Sequence, residues 1–293
     1  MLDVNATWRY APVESWRGDA AAVAVLSFDV DAETPLLAAS EKYTQHLSTM
    51  SHQAYGPTVG VPRIIQMLAR REKPATFFVP GLSAELYPRC MEAILESGHE
   101  IALHGYTHTP PCNLTPGEQR AEIERGLAAL DRFGVKPAGY RAPFWQTSRH
   151  TMEILGEYGM HYDSSMMDDD RPYLLDTPSG RIAEMCPQWY LDDWEQYVYV
   201  PEPDMGHTIN RPSVVAELWI EELDAERETG SLFMLTCHPF ASGRPARLRA
   251  VEKVIDFAEA CGDVVFSRAD ALADALLAVP DSMLSDERKE STS

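Results

Sequence analysis

Short apolar runs alternate with helix-patterned segments along almost the whole chain, and this alternation constrains the fold more than any other feature. AAVAVLSF (21–28), ATFFV (75–79), EIALHG (100–105), SLFMLTCHPF (231–240) and DVVFS (263–267) read as buried strands. TVGVPRIIQMLARRE (58–72), SAELYPRCMEAILESG (83–98), TPGEQRAEIERGLAALDRFG (115–134), SVVAELWIEELDAERETG (213–230) and ARLRAVEKVIDFAEACG (246–262) carry apolar residues at helical spacing. In the third of these helices Thr115 is placed to cap the first turn, Pro116 to occupy it and Glu118 to close a capping box. Strands separated by a helix run parallel, because the crossover returns the chain to the same end of the sheet. The number of such units favours closure towards a barrel over an open sheet. The stretch from Met166 to Arg211 reads as loop-rich. No internal repeat or linker divides the chain, so one domain is expected over residues 1–293, with its core at about 20–275 and a polar, frayed tail after Pro280.

In parallel barrels the side chains at the C-terminal strand ends line the functional site. LSFDVDAET (26–34) delivers Asp29, Asp31 and Glu33 to one such end, all on one side if the strand continued. Clustered carboxylates repel one another unless a cation compensates them. His104 and His108, in HGYTH, follow another strand end at i,i+4, a spacing that would put both imidazoles on one helical face or turn. Two histidines and an aspartate bind zinc or a similar divalent ion with a position left open for water. Arg141, in RAPFW, could pair with one of the aspartates. His238, in LTCHPF, could serve as a general acid, with Asp163 as the candidate carboxylate on its other ring nitrogen. Trp145, Trp189 and Trp194 could wall a pocket, with Asp168, Asp169, Asp170 and Arg171 supplying polar contacts.

Composition removes several classes. Lys and Arg total 25 against 45 Asp and Glu, and the net charge of −20 repels phosphate backbones and anionic lipids, so neither nucleic acid nor a membrane is expected as a partner. Five scattered cysteines without a CxxC pair suit a reducing compartment better than a disulfide framework or a thiolate zinc site. The first residues lack the basic and apolar regions of a secretory signal, and no run approaches the length of a spanning helix, so a soluble cytoplasmic protein is expected. The glycines of MSHQAYGPTVGVPRI (50–64) lack the lysine of a P-loop and the spacing of a dinucleotide turn. No GxSxG marks a serine hydrolase. A paired-carboxylate glycosidase built on Asp29 and Asp31 stays open, but it leaves the two histidines idle.

Taken in order, SFDVD, HGYTH, RAPF and LTCH resemble the motifs of the polysaccharide deacetylase (NodB-homology, carbohydrate esterase family 4) superfamily, over about residues 20–270. The resemblance implies an α/β fold of the distorted, incomplete (β/α) TIM-like barrel type. It implies Asp29 as catalytic base and Asp31, His104 and His108 as ligands of one divalent metal, zinc foremost, with cobalt, nickel or iron as alternatives. Arg141 would support the base, His238 would be the general acid, and the amide of Phe144 would help bind the oxyanion where the family usually has tyrosine. The family's fourth motif, an aspartate with a nearby tryptophan, would be filled by Asp163. FDVDAET, HGYTH and DSSMMDDDRPY are similar to an intracellular branch that contains cyclic imidases, allantoinase-like enzymes and peptidoglycan deacetylase homologues, whose members form homo-oligomers, often tetramers. The implied reaction is hydrolysis of a non-peptide amide bond in a small cyclic imide or amide, with substrate contacts from Trp145, Asp163, Asp169, Arg171 and Trp189. N-deacetylation of an acetylamino sugar is the alternative, and a non-catalytic binding protein on the same fold the remote one.

Overall fold

A computed structural model describes residues 5–287. Its strands are β1 (Thr7–Arg9), β2 (Ala22–Asp29), β3 (Thr76–Val79), β4 (Glu100–Leu103), β5 (Gly139–Tyr140), β6 (Tyr162–Asp163), β7 (Tyr173–Thr177), β8 (Gly180–Glu184), β9 (Tyr199–Val200), β10 (Gly206–His207), β11 (Leu232–Cys237) and β12 (Val264–Ser267). The main sheet runs β1-β7-β8-β6-β5-β4-β3-β2-β11, with β12 also on β2, while β9 and β10 pair separately. From β8 through to β11 every pairing is parallel. Within this sheet, among the described residues, β7 on β8 and β1 on β7 are the antiparallel pairings. Among the described residues no ladder joins β1 to β11, so the sheet curls towards a barrel, as the alternation favours, and stays incomplete, as the motif resemblance implies.

The distortion has a visible origin at β2. β11 occupies one edge of this strand along Val23–Phe28. A strand has only one other edge, and here two partners share it: β12 takes Ala22–Val25 and β3 takes Ser27–Asp29. β12 therefore wedges β2 and β3 apart at their lower ends and leaves them paired at the top.

Side-chain alternation divides the core in two. Ala24, Leu26 and Phe28 face outward with Ile64, Met67 and Leu68 of the helix Val61–Arg71. Val23 and Val25 face inward with Phe78, Ala102, Tyr162 and Met234, and Leu272 and Leu276 of the helix Ala269–Leu277 pack into this interior cluster. Continued by two residues at a time, the inward set reaches Asp29, His104 and His238 at the top. Sequence parity thus carries each of these chemical groups into the barrel mouth.

Three local departures from the sequence reading have simple causes. The helix expected over 83–98 is two, Gly81–Leu86 and Pro88–Glu96, because Pro88 has no amide hydrogen and holds Tyr87 at φ −127°, ψ 60°, outside the helical region. The segment 166–211 is not all loop: β7 and β8 form a hairpin joined by Pro178 and Ser179, whose turn chemistry masks the strands on either side. The tail does not fray at once, since Ser285 and Tyr10 exchange backbone hydrogen bonds of 2.8 and 3.0 Å; residues 288–293 lie outside the described residues. The capping box at Thr115 and Glu118 is formed. The glycine-rich turn before Val61 serves packing: a Cβ on Gly60 would lie 2.2 Å from the carbonyl oxygen of Pro239, just after His238.

Candidate metal centre and active site

Asp29, His104, Arg141 and His238 each end a parallel strand or directly follow its last residue. Asp29 closes β2, and Val30 then bonds across to the Phe78 carbonyl, which turns the chain so that Asp31 also enters the mouth. The Asp31 carbonyl accepts hydroxyl bonds from Thr34 and Ser83, both 2.7 Å, which pin this turn. His104 follows β4, Arg141 follows β5 and His238 follows β11. HGYTH is not helical; Gly105 at φ 69° and His108 at φ 66° fold it back as a loop, so the i,i+4 spacing works through a reversal, not a helix face. Of the five non-glycine residues with positive φ among those described, Ala32, His108, Phe144 and Trp145 border this site. Such conformations persist only where surrounding structure enforces them, and they gather at functional sites.

Asp31, His104 and His108 offer three ligand atoms within 4.8 Å of one another. His104 Nε2 lies 3.5 Å from Asp31 Oδ1, and His108 Nε2 lies 3.3 Å from Asp31 Oδ2. His104 donates its Nδ1 proton to the Arg141 carbonyl at 2.8 Å, so its Nε2 lone pair faces the aspartate. Burial holds this imidazole neutral, down to about 4. Burial pushes the Asp31 carboxyl up, but His108, His238 and His104 outweigh it and hold the group below the usual range. Asp31 Oδ1 is buried without a hydrogen-bond donor. A lone pair facing an ionised oxygen that no donor serves is an arrangement a divalent cation fits.

Two anchored groups flank this triangle. Arg141, fully buried, donates from Nη1 to Asp29 Oδ1 at 2.7 Å and to Ser27 Oγ at 3.0 Å. His238 places Nε2 3.5 Å from Asp31 Oδ2 and donates from Nδ1 to Asp193 Oδ1 at 2.8 Å, with Asp192 Oδ1 at 3.4 Å. Burial opposes the charged imidazolium, yet Asp192 and Asp193 together hold His238 well above its ordinary range.

The carboxylate behind His238 is therefore Asp193, not Asp163. Asp193 is followed by Trp194, whose ring stands edge-on to His238 with centroids 4.9 Å apart. The dipeptide in LDDW fits the aspartate-with-tryptophan pattern directly, and its reading was obscured by the aromatic-rich loop around it. Asp163 belongs to the other side of the sheet: Tyr162 faces the interior, so the next residue faces out.

Trp145 and Trp189 face each other at 4.7 Å and, with Trp194, wall a cavity of about 250 Å³ whose floor is Asp29, Asp31, His104, His108 and His238. Phe144 borders it, packed against His108 at 4.8 Å, and its amide makes no hydrogen bond among the described residues. Asp192, Glu195, Asp204 and Met205 complete the mouth. Asp163, Asp169 and Arg171 do not line it. Asp169 accepts from the Arg171 amide at 3.0 Å, and Arg171 reaches the Thr229 carbonyl at a helix end, so both shape the backbone below the loop.

A family profile described as polysaccharide deacetylase matches residues 54–162. A candidate polysaccharide deacetylase from Mycobacterium smegmatis has a crystal structure that superposes with a TM-score of 0.88 at 42% identity, covering 92% of this chain and 94% of that one. A peptidoglycan deacetylase of Helicobacter pylori is 29% identical over 234 residues, 71% of this chain and 80% of the relative. The PuuE allantoinase shares the fold, with a TM-score of 0.78 at 22% identity over 92% of this chain and 95% of that one.

Proposed function

The chain belongs to the polysaccharide deacetylase family, hydrolases of carbon–nitrogen bonds, and from that premise we propose that it hydrolyses a non-peptide amide bond in a small substrate, a cyclic imide or amide. The observation that carries the reading is one arrangement: Asp29 held by Arg141 and His238 held by Asp193 flank Asp31, His104 and His108 on the floor of a tryptophan-walled cavity.

Asp31, His104 and His108 would hold a divalent ion, which supplies Lewis acidity to the attacking water and to the substrate carbonyl; two nitrogens and a carboxylate suit zinc, cobalt, nickel or iron. The residues do the rest. Asp29, oriented by Arg141, takes a proton from the attacking water. The free amide of Phe144 donates to the carbonyl oxygen as negative charge develops there. His238, whose tautomer and orientation Asp193 fixes, delivers a proton from Nε2 to the departing nitrogen. Trp145, Trp189 and Trp194 exclude bulk water, which strengthens each of these contacts.

A cavity of about 250 Å³ suits a ring better than a polymer. N-deacetylation of an acetylamino sugar is the second reading, favoured by the likeness to a peptidoglycan deacetylase. Incubating the metal-loaded and the chelated protein with succinimide-like rings and with acetylated chito-oligosaccharides separates the two. Ring opening that chelation abolishes supports the first reading, and acetate release from the sugars alone replaces it with the second. We further assign the chain to a homo-oligomer, a tetramer on the motif resemblance, which sedimentation measures directly. A cytoplasmic location is supported by five free thiols. No helix among the described residues is long and apolar enough to cross a membrane.

A further inference from the structure

One pair of sealed acids has no part in the reaction above. Asp163 and Glu184 are register partners on β6 and β8, on the outer face of the sheet, and neither is exposed to solvent. Ser165 Oγ donates to Asp163 Oδ1 at 2.9 Å. The amides of Ser165 and Met166 both donate to Glu184 Oε1 at 3.0 Å. The remaining oxygens, Asp163 Oδ2 and Glu184 Oε2, meet no N–H or O–H donor, and the two carboxyls lie within hydrogen-bonding reach of each other. Two carboxylates that close in a dry site do not both ionise. A proton between them converts the repulsion into a charge-assisted hydrogen bond.

We propose that Asp163 and Glu184 share one proton, and that this pair is a positioning clamp for Arg141 and the turn that follows it, the part of the inference that rests on the reaction proposed above. The linkage is short. Ser165 Oγ, held by Asp163, accepts from the Ala142 amide at 2.8 Å. Arg141 donates from Nε to the Ser164 carbonyl at 3.3 Å and from Nη2 to Ser164 Oγ at 2.9 Å, leaving Nη1 for Asp29. The pair thus grips residues 164–166, and these grip Arg141 from one side and the backbone leading to Phe144 from the other. Among the described residues Arg141 is the cation that acts on Asp163; Tyr140, Tyr173 and Cys186, buried and pushed up by their surroundings, face the pair as neutral groups. Burial pushes both carboxyls up, as a pair that keeps one proton between them requires.

Amide substitution in the full-length chain tests both halves. In Asp163→Asn or Glu184→Gln the new NH2 supplies the donor that the shared proton supplied, so each single variant folds, with turnover within a few-fold of wild type. In the double variant both oxygens are already committed to Ser165 and Met166, so two NH2 groups confront each other. Its melting temperature falls well below the sum of the two single effects. Its kcat falls on the order of 10²-fold at unchanged metal content and KM, as a displaced arginine turn would cause. Difference infrared spectra at neutral pH show a protonated-carboxyl stretch in wild type that is missing from each single variant. A missing stretch in wild type, or a double variant as stable as the singles, overturns the shared proton. A destabilised double variant with unchanged kcat overturns the positioning role. The stretch and the melting temperatures do not depend on any substrate, so a wrong reaction leaves these two results standing.

Discussion

Asp31 and Glu100 are buried to a similar degree at opposite ends of one sheet, and they differ in how their oxygens are served. Glu100, the first residue of β4, receives Thr76 Oγ1 at 2.6 Å, Tyr162 OH at 2.7 Å and the Asp270 amide at 3.0 Å, so both of its oxygens have donors. Asp31, past the top of β2, is surrounded by imidazole edges, and its Oδ1 has no donor at all. Burial alone therefore does not mark a functional acid. An acid whose lone pairs are all occupied by chain donors ties strands together, whereas one left short of a donor needs something further: a shared proton between Asp163 and Glu184, a ligand from outside at Asp31. Glu100 joins β3, β4, β6 and the last helix into the closed end of the barrel. Asp31 stands at the open end, where loops and short helical turns such as Asp193–Tyr197 border the cavity.

The largest effect expected from this contrast is at Asp31. Asp31→Ala should remove bound metal and bring turnover to background, and should lower the melting temperature of the metal-free protein at neutral pH, because the histidines that hold its carboxyl below the usual range lose their counter-charge. Elemental analysis and thermal melts of the same preparation check it, and stoichiometric metal in the variant would break the contrast. Asp29→Asn comes next. Asp29 has Arg141 as its donor, so its loss should leave metal content unchanged and lower kcat by about 10²- to 10⁴-fold. Loss of metal in this variant would move Asp29 into the ligand set and redraw the division between the two aspartates.

The same contrast explains what could be read from the chain alone. Strand ends and the residues just past them were legible because parallel β–α units place function there, and DVD, HGYTH and TCH each follow an apolar run. The partner of His238 was not legible: Asp193 lies 45 residues away, and it is brought beside the ring by the parallel bridge between Asp192 and Thr236 and by the His238 and Ser242 amides that donate to its carboxylate. Asp163 was misplaced because β6 has two residues, too few for an alternation to show which side its second residue faces. The helix broken at Pro88 and the hairpin across Pro178 show the same limit at the level of elements, since in both a local turn signal overrode a longer pattern.

The smallest effect lies at Glu100, and it tests whether donors or burial control an acid that has both. Burial, reinforced by the charge of Asp270, pushes its carboxyl from 4.5 to about 7 against the pull of three donors. Below pH 4.5 the group is protonated in folded and unfolded chains alike and contributes no pH dependence. Between 4.5 and 7 the unfolded chain releases this proton and the folded one keeps it, so stability falls as pH rises, by up to about 1.4 kcal/mol per pH unit and on the order of 3 kcal/mol in all. Above 7 the dependence ends. Glu100→Gln can keep its oxygen on Thr76 and Asp270 and turn its NH2 to Tyr162, whose hydroxyl then accepts. The variant should be somewhat less stable than wild type at pH 4.5 and should gain on it steadily up to pH 7, as followed by melting temperatures across that range. A constant difference would mean that the donors keep Glu100 ionised throughout, and the two ends of the sheet would then hold their acids in the same charge state by different means.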